Sequence, residues 1–141
     1  MDQRISFITL GVQNLKRARD FYVNTLGWTP MKDDQGVVFF LCQGVVVGLF
    51  PAEELARDMG QDYRACHFRP FSLACNLRSE DEVDAFFGDL KNKGVTILKE
   101  PQKVFWGGYH GYFSDSEGNA WEVAYNPFVA LDAAGRLLHH S

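Results

Sequence analysis

Two stretches of this chain, 65 positions apart, follow one plan, and that repetition limits the possible folds more than any other feature. Asn14 falls on Ser79, Ala18 on Val83, Phe21 on Phe86 and Tyr22 on Phe87. Asn and Ser are good helix N-caps, and Ser79 with Glu82 has the layout of a capping box. Apolar residues follow each cap at helical spacing: Leu15, Ala18, Phe21, Tyr22 and Leu26 in one case, Val83, Phe86, Phe87 and Leu90 in the other. Gly27 and Gly94 close the two helices. A strand precedes each helix, at residues 4–12 and 71–77, and about three strands follow. The same shift puts Phe7 on Ser72. Such a unit cannot bury its sheet face alone, so two of them should pair around a shared centre. The fold class expected is α+β: two βαβββ modules pairing into a curved eight-stranded mixed sheet around a concave site, with the helices outside. Module 1 covers about residues 4–60 and module 2 about 70–127, within one domain over 1–141. A concave surface rich in aromatic residues suits a small-molecule ligand.

The end of module 2 is the most distinctive local stretch. Residues 105–127, FWGGYHGYFSDSEGNAWEVAYNP, read as two strands joined by a turn. Trp106, Tyr109, Tyr112, Phe113 and Trp121 have strand preference. Gly107, Gly108 and Gly111 interrupt the first strand, which marks a bulge or a close approach of other atoms. Residues 115–119 supply turn chemistry, with Gly118 free to take positive φ. Glu122 is the only charge inside the second strand, and Pro127 ends it. Elsewhere in this half, residues 95–99 read as a strand, Glu100-Pro101 as a break and residues 128–141 as a tail in which Leu131, Leu137 and Leu138 could dock and His139 and His140 are exposed. In the first half, short strands are expected near 30–33, 37–42 and 45–50, and a short helix after Pro51. Residues 59–70 form a polar connection, a linker or loop, carrying Arg64, His67 and Arg69.

Composition narrows the function. A chain of 141 residues with a formal charge of −4 offers no electrostatic case for nucleic acid or an anionic membrane. No apolar run approaches the roughly 18 residues of a membrane span, and the first residues lack a signal-peptide layout. Cys42, Cys66 and Cys75 have no CxxC spacing and read as reduced thiols of a cytoplasmic protein.

Three segments resemble the vicinal oxygen chelate superfamily, the group of glyoxalases, bleomycin-resistance proteins and extradiol dioxygenases. ITLGVQNLKRARDFYVNTLGW is similar to the opening strand and helix, NLRSEDEVDAFF to the opening helix of the second module, and WGGYHGYFSDSEGNAWEVAYNP to the closing hairpin. The resemblance implies paired βαβββ modules around a cupped site, often in a homodimer. In metal-using members, the first and last strands of each module supply the ligands, usually His and Glu, to a divalent ion that takes two adjacent substrate oxygens. Carried onto this chain, those positions are Phe7, Val46, Ser72 and Glu122. One carboxylate does not hold such an ion, so no cofactor is expected at the usual place, although a divalent metal on unforeseen ligands is kept as an alternative.

The functional expectation is a small oxygenated molecule bound or transformed in an aromatic cup, with Glu122 as the catalytic residue. Desolvation in an apolar strand would suit that carboxylate to proton transfer, in lyase- or isomerase-type chemistry. Phe7, Ser72, Asn76, Trp106, Tyr109 and Tyr112 are the candidate substrate-binding residues. His110 could titrate near neutrality, but reads more simply as an exposed surface histidine. His67 with Arg64 and Arg69 could attract an anion at the cup's rim; a solvated loop is the simpler reading. The alternative function is a non-catalytic protein that sequesters a drug or toxin, as bleomycin-resistance proteins do.

Overall fold

Both capped helices form, and each lies on its own four-stranded sheet. The structure is a computed structural model and describes residues 1, 3, 5–34, 36–63, 69 and 71–140. The chain divides into two units, Met1–His67 and Phe68–Ser141, which correspond to the two modules.

Module 1 runs β1 (Phe7–Val12), α1 (Leu15–Asp20), β2 (Lys32–Asp34), β3 (Val37–Cys42), β4 (Val45–Pro51) and α2 (Ala52–Asp58). Its sheet has the order β1-β4-β3-β2, with β1 parallel to β4 and the other pairs antiparallel. Module 2 runs β5 (Leu73–Leu77), α3 (Glu80–Asn92), β6 (Ile97–Lys103), β7 (Tyr109–Ser114) and β8 (Ala120–Tyr125). Its order, β5-β8-β7-β6, repeats the first, again with the outer strand parallel to the last. The repeat seen in sequence is therefore a repeat of topology, and the eight strands of the two modules form two mixed sheets of four.

The caps act as the sequence predicts. Asn14 Oδ1 accepts from the Arg17 amide at 2.9 Å and Ser79 Oγ from the Glu82 amide at 3.1 Å. The Glu82 carboxylate reaches back one residue further than in the usual box, to the Arg78 amide at 2.8 Å. In module 1 the helix narrows to six residues and then widens into a π-helical turn, Phe21–Thr25. That wider turn keeps Tyr22 buried at 0% exposure against Trp28 and Phe40. Leu10, Val12, Val38, Phe40, Val47 and Leu49 form this module's buried core. In module 2 the alternation of strand residues sends Gly111, Phe113, Trp121 and Val123 toward α3, where Val83, Phe87 and Leu90 are buried. Phe113 stacks on Trp121 at 6.1 Å, and each fully buried ring stabilises the fold by about 1.5–3 kcal/mol.

Three expectations change. The first strand begins at Phe7; Arg4, where it was placed to start, lies outside the described residues, as do Arg64, Cys66 and His67. Glu100-Pro101 is not a break: β6 continues through it with a shift of register between Lys99 and Gln102. A proline is tolerated there because β6 is an edge strand. The supposed tail contains an antiparallel pair, β9 (Val129–Leu131) with β10 (Leu137–His140). Its turn is held by Asp132 Oδ1, which accepts from the Ala134 and Arg136 amides, and Arg78 donates to the Asp132 carbonyl at 2.5 Å. Among the described residues no helix is long and apolar enough to cross a membrane.

Candidate functional site

The face of the module 2 sheet turned away from α3 carries the candidate site. Because β7 and β8 alternate, placing Phe113, Trp121 and Val123 on the helix leaves His110, Tyr112 and Glu122 on the other side. Register brings them together. Tyr112 lies directly opposite Glu122, His110 lies diagonally from it, and Lys99 of β6 lies opposite Tyr112. On the other flank, Ala74 of β5 lies beside Glu122 and Asn76 beside Ala124, with Ser72 just before the strand.

The side chains join into one chain of contacts across the sheet. Lys99 Nζ lies 3.4 Å from His110 Nε2, and His110 Nδ1 lies 2.5 Å from Glu122 Oε2. Tyr112, directly opposite Glu122 in the register, stands within the influence of the same carboxylate and of Ser72. An ammonium has donors only, so the Nε2 facing it must accept; the ring then carries its proton on Nδ1 and donates it to Glu122. The His110 side chain is 9% exposed and that of Glu122 21%, so their contact is shielded from solvent. Burial pushes the Tyr112 phenol up, and the nearby Glu122 charge pushes it the same way, against a smaller opposing effect of Ser72. Trp106 and Tyr112 set their rings edge-on to His110 at 6.1 and 5.3 Å.

Of the residues singled out from sequence, Glu122, Ser72, Trp106 and Tyr112 meet here, and Asn76 shares the face. Tyr109 does not join them. It points to the opposite face and donates to Asp84 Oδ1 of α3 at 2.6 Å, a bond that, as its largest cause, pushes its phenol up to about 12. Phe7 belongs to module 1, where it packs edge-on against Phe39 at 5.5 Å on the corresponding sheet face. The same face is thus hydrocarbon in one module and hydrogen-bonded in the other.

His110 corrects the sequence reading: it is a buried residue, 7% exposed, not a surface histidine. Its spacing of two from Tyr112 was the available signal, since that parity puts both on the face of Glu122. Lys99 drew no attention because its role depends on where the edge strand is in register. Arg69 does not act in a free loop; its guanidinium bonds the buried Asn119 side chain, which is tied to Asp115.

Comparison with known proteins agrees with the fold. The family described as Glyoxalase/Bleomycin resistance protein/Dioxygenase superfamily matches residues 4–123. Among solved structures, a glyoxalase-related enzyme from Fulvimarina pelagi is similar over 99% of both chains, at 28% identity and a TM-score of 0.87. A glyoxalase/bleomycin resistance protein/dioxygenase from Nocardioides aligns over 89% of this chain and 84% of its own, at 24% identity and a TM-score of 0.73. A lactoylglutathione lyase from Agrobacterium tumefaciens aligns over 89% and 96%, at 22% identity and 0.71. At those last two identities the likeness is one of fold alone. No curated protein matches the sequence.

The donor set at the family's usual metal positions does not fit a divalent ion. Phe7 and Val46 carry no side-chain donor atom, Ser72 offers only a neutral hydroxyl, and one Glu122 oxygen is taken by His110. Among the described residues, no three His, Cys, Asp or Glu side chains converge as a metal-holding group.

Proposed function

Because the chain belongs to the glyoxalase/bleomycin resistance protein/dioxygenase superfamily, we propose that it binds a small oxygenated molecule over the face of the module 2 sheet turned away from α3 and moves a proton on it with its own side chains. The observation that supports this is the 2.5 Å contact of His110 Nδ1 with Glu122 Oε2. A carboxylate on Nδ1 holds the ring in one tautomer and stabilises the imidazolium that forms when Nε2 takes a proton. Glu122, expected from sequence to be the base itself, becomes the charged partner of a pair, and His110 is the group that meets the substrate. Tyr112, Ser72, Asn76 and Trp106 line the bound molecule. Removing a C–H proton beside a carbonyl and returning it elsewhere is isomerase- or lyase-type chemistry that needs no group beyond these. The homodimer implied by the family is part of the reading, and sedimentation at micromolar concentration tests it.

A second reading is favoured by the ring edges of Trp106 and Tyr112 around His110: a binder that holds a flat molecule without changing it. One experiment separates the two. Small carbonyl compounds are incubated with the protein in deuterium oxide, and exchange at carbon is followed by NMR. Proton transfer predicts exchange faster than buffer, falling by about 100-fold in H110Q and in E122Q. Exchange at the buffer rate, with a compound that raises the melting temperature and is recovered unchanged, establishes the binder instead.

A further inference from the structure

A charge already stands in front of the atom that a substrate proton has to reach. His110 Nδ1 is occupied by Glu122, so Nε2 is the only ring nitrogen that can accept, and the Lys99 ammonium lies 3.4 Å from it. A C–H proton to be taken by Nε2 must sit where that ammonium now sits. Two of the four lysines of its module pair with carboxylates. Lys91 pairs with Glu100 at 2.6 Å and Lys93 with Asp89 at 2.9 Å. Among the described residues Lys99 has no carboxylate partner, its polar contact being the imidazole. Glu122, on the same sheet face, is engaged by His110.

We propose that Lys99 is the anion-binding residue of this site and that the substrate class is a small 2-oxo carboxylate. The proposal rests on the His110–Glu122 reading and names its substrate. The arriving carboxylate draws the ammonium off Nε2 and so opens the lone pair. The C–H proton then passes to Nε2, the C–H electron pair becomes the carbon–carbon π bond of an enolate, and the carbonyl π pair moves onto oxygen. The reverse flow returns the proton to carbon. Charge makes the anion necessary. Once Nε2 is protonated, an imidazolium and an ammonium at the present spacing repel, and a negative group between them removes that repulsion. One ammonium supplies a single positive charge, which balances one carboxylate and leaves most of a diphosphate's charge unmet.

The test uses the full chain and histidine-ring NMR, with pyruvate and phenylpyruvate as probes and their methyl esters as neutral counterparts. The free protein is expected to show His110 as the Nδ1–H tautomer. At least one acid should move the Nε2 resonance while its ester does not. K99Q should weaken that binding by roughly tenfold or more, with recovery in K99R, because a charged hydrogen bond is lost and then restored. Lys99 is exposed, so K99Q is expected to fold, and its melting temperature checks this. Equal shifts from acid and ester, no shift from either acid, or wild-type affinity in K99Q would each overturn the proposal. The two readings fail separately. Charge-selective binding through Lys99 without carbon exchange removes proton transfer and keeps the anion site. Exchange that depends on His110 without charge selectivity removes the anion site alone.

Discussion

The Trp106 ring lies so close over the backbone of Gly108 that a Cβ on that glycine would sit 1.9 Å from ring atom Cζ3. No other residue type fits beneath the ring as it stands. G108A should therefore swing Trp106 away from His110, against which it is now edge-on at 6.1 Å. A half-buried ring can turn outward, so the cost should stay near about 1 kcal/mol. The check is tryptophan fluorescence, expected to red-shift, with a small change in the unfolding midpoint.

Gly111, two residues on, is a harder case. A Cβ there would meet Phe87 at 2.7 Å and the Lys99 carbonyl oxygen at 2.9 Å. Phe87 is 1% exposed, and the carbonyl belongs to a paired strand, so neither can yield. G111A should lose about 3 kcal/mol or more, the upper range for overpacking. Urea unfolding of both variants tests the contrast, and equal losses would contradict it.

Asp115 organises the turn between β7 and β8. Its Oδ1 accepts from the Glu117 and Asn119 amides at 2.9 and 2.8 Å, and its Oδ2 from Asn119 Nδ2 at 2.7 Å. The residue is 6% exposed and Asn119 2%. D115A leaves these buried donors without that acceptor, which should cost about 2–3 kcal/mol. The expected readout is a lower urea midpoint at an unchanged slope.

Tyr109 gives an alkaline signature. Its phenol donates to Asp84 and is pushed up from 10.0 to about 12 by that bond first and by burial and nearby acids after it. A folded value above the unfolded one means that the unfolded chain loses this proton first as pH rises. The bond's contribution is therefore fully present below pH 10 and is lost as pH climbs toward 12. Wild type should lose stability relative to Y109F across that window, measured by unfolding at a series of pH values. A spectrophotometric titration should show one phenolate fewer in Y109F at the high end only.

The two helix caps predict matched effects. S79A and N14A each remove a side-chain acceptor from a helix start, at about 1 kcal/mol apiece. The caps lie in different modules and share no partner in these contacts, so the double variant should show the sum to within about 0.5 kcal/mol. Thermal unfolding of the single and double variants checks this.

What was legible in the sequence was whatever depends on near neighbours along the chain. The caps at Asn14 and Ser79 and the turn around Asp115 are contacts over a few residues. The repeat of strand, helix and three strands is local pattern written twice, which is why its topology could be anticipated. The β9–β10 pair escaped because β10 is exposed along its whole length and shows no alternation of buried residues. That Tyr109 faces α3 and bonds Asp84 was not legible, since it depends on the register of β7 against its neighbours.

The sequence by itself determined the repeated order of strand, helix and strands in the two modules and where the helices start. Only the tertiary structure decided that Glu122 has a partner. His110 and Glu122 are twelve positions apart on different strands, and Lys99 joins them from a third, past a shift of register. Such a contact depends on how each strand slides against the next, and a slip of one residue would turn every side chain to the other face. That choice is made by the burial of Phe113, Trp121 and Val123 under α3, a collective effect that no short stretch of the chain carries alone.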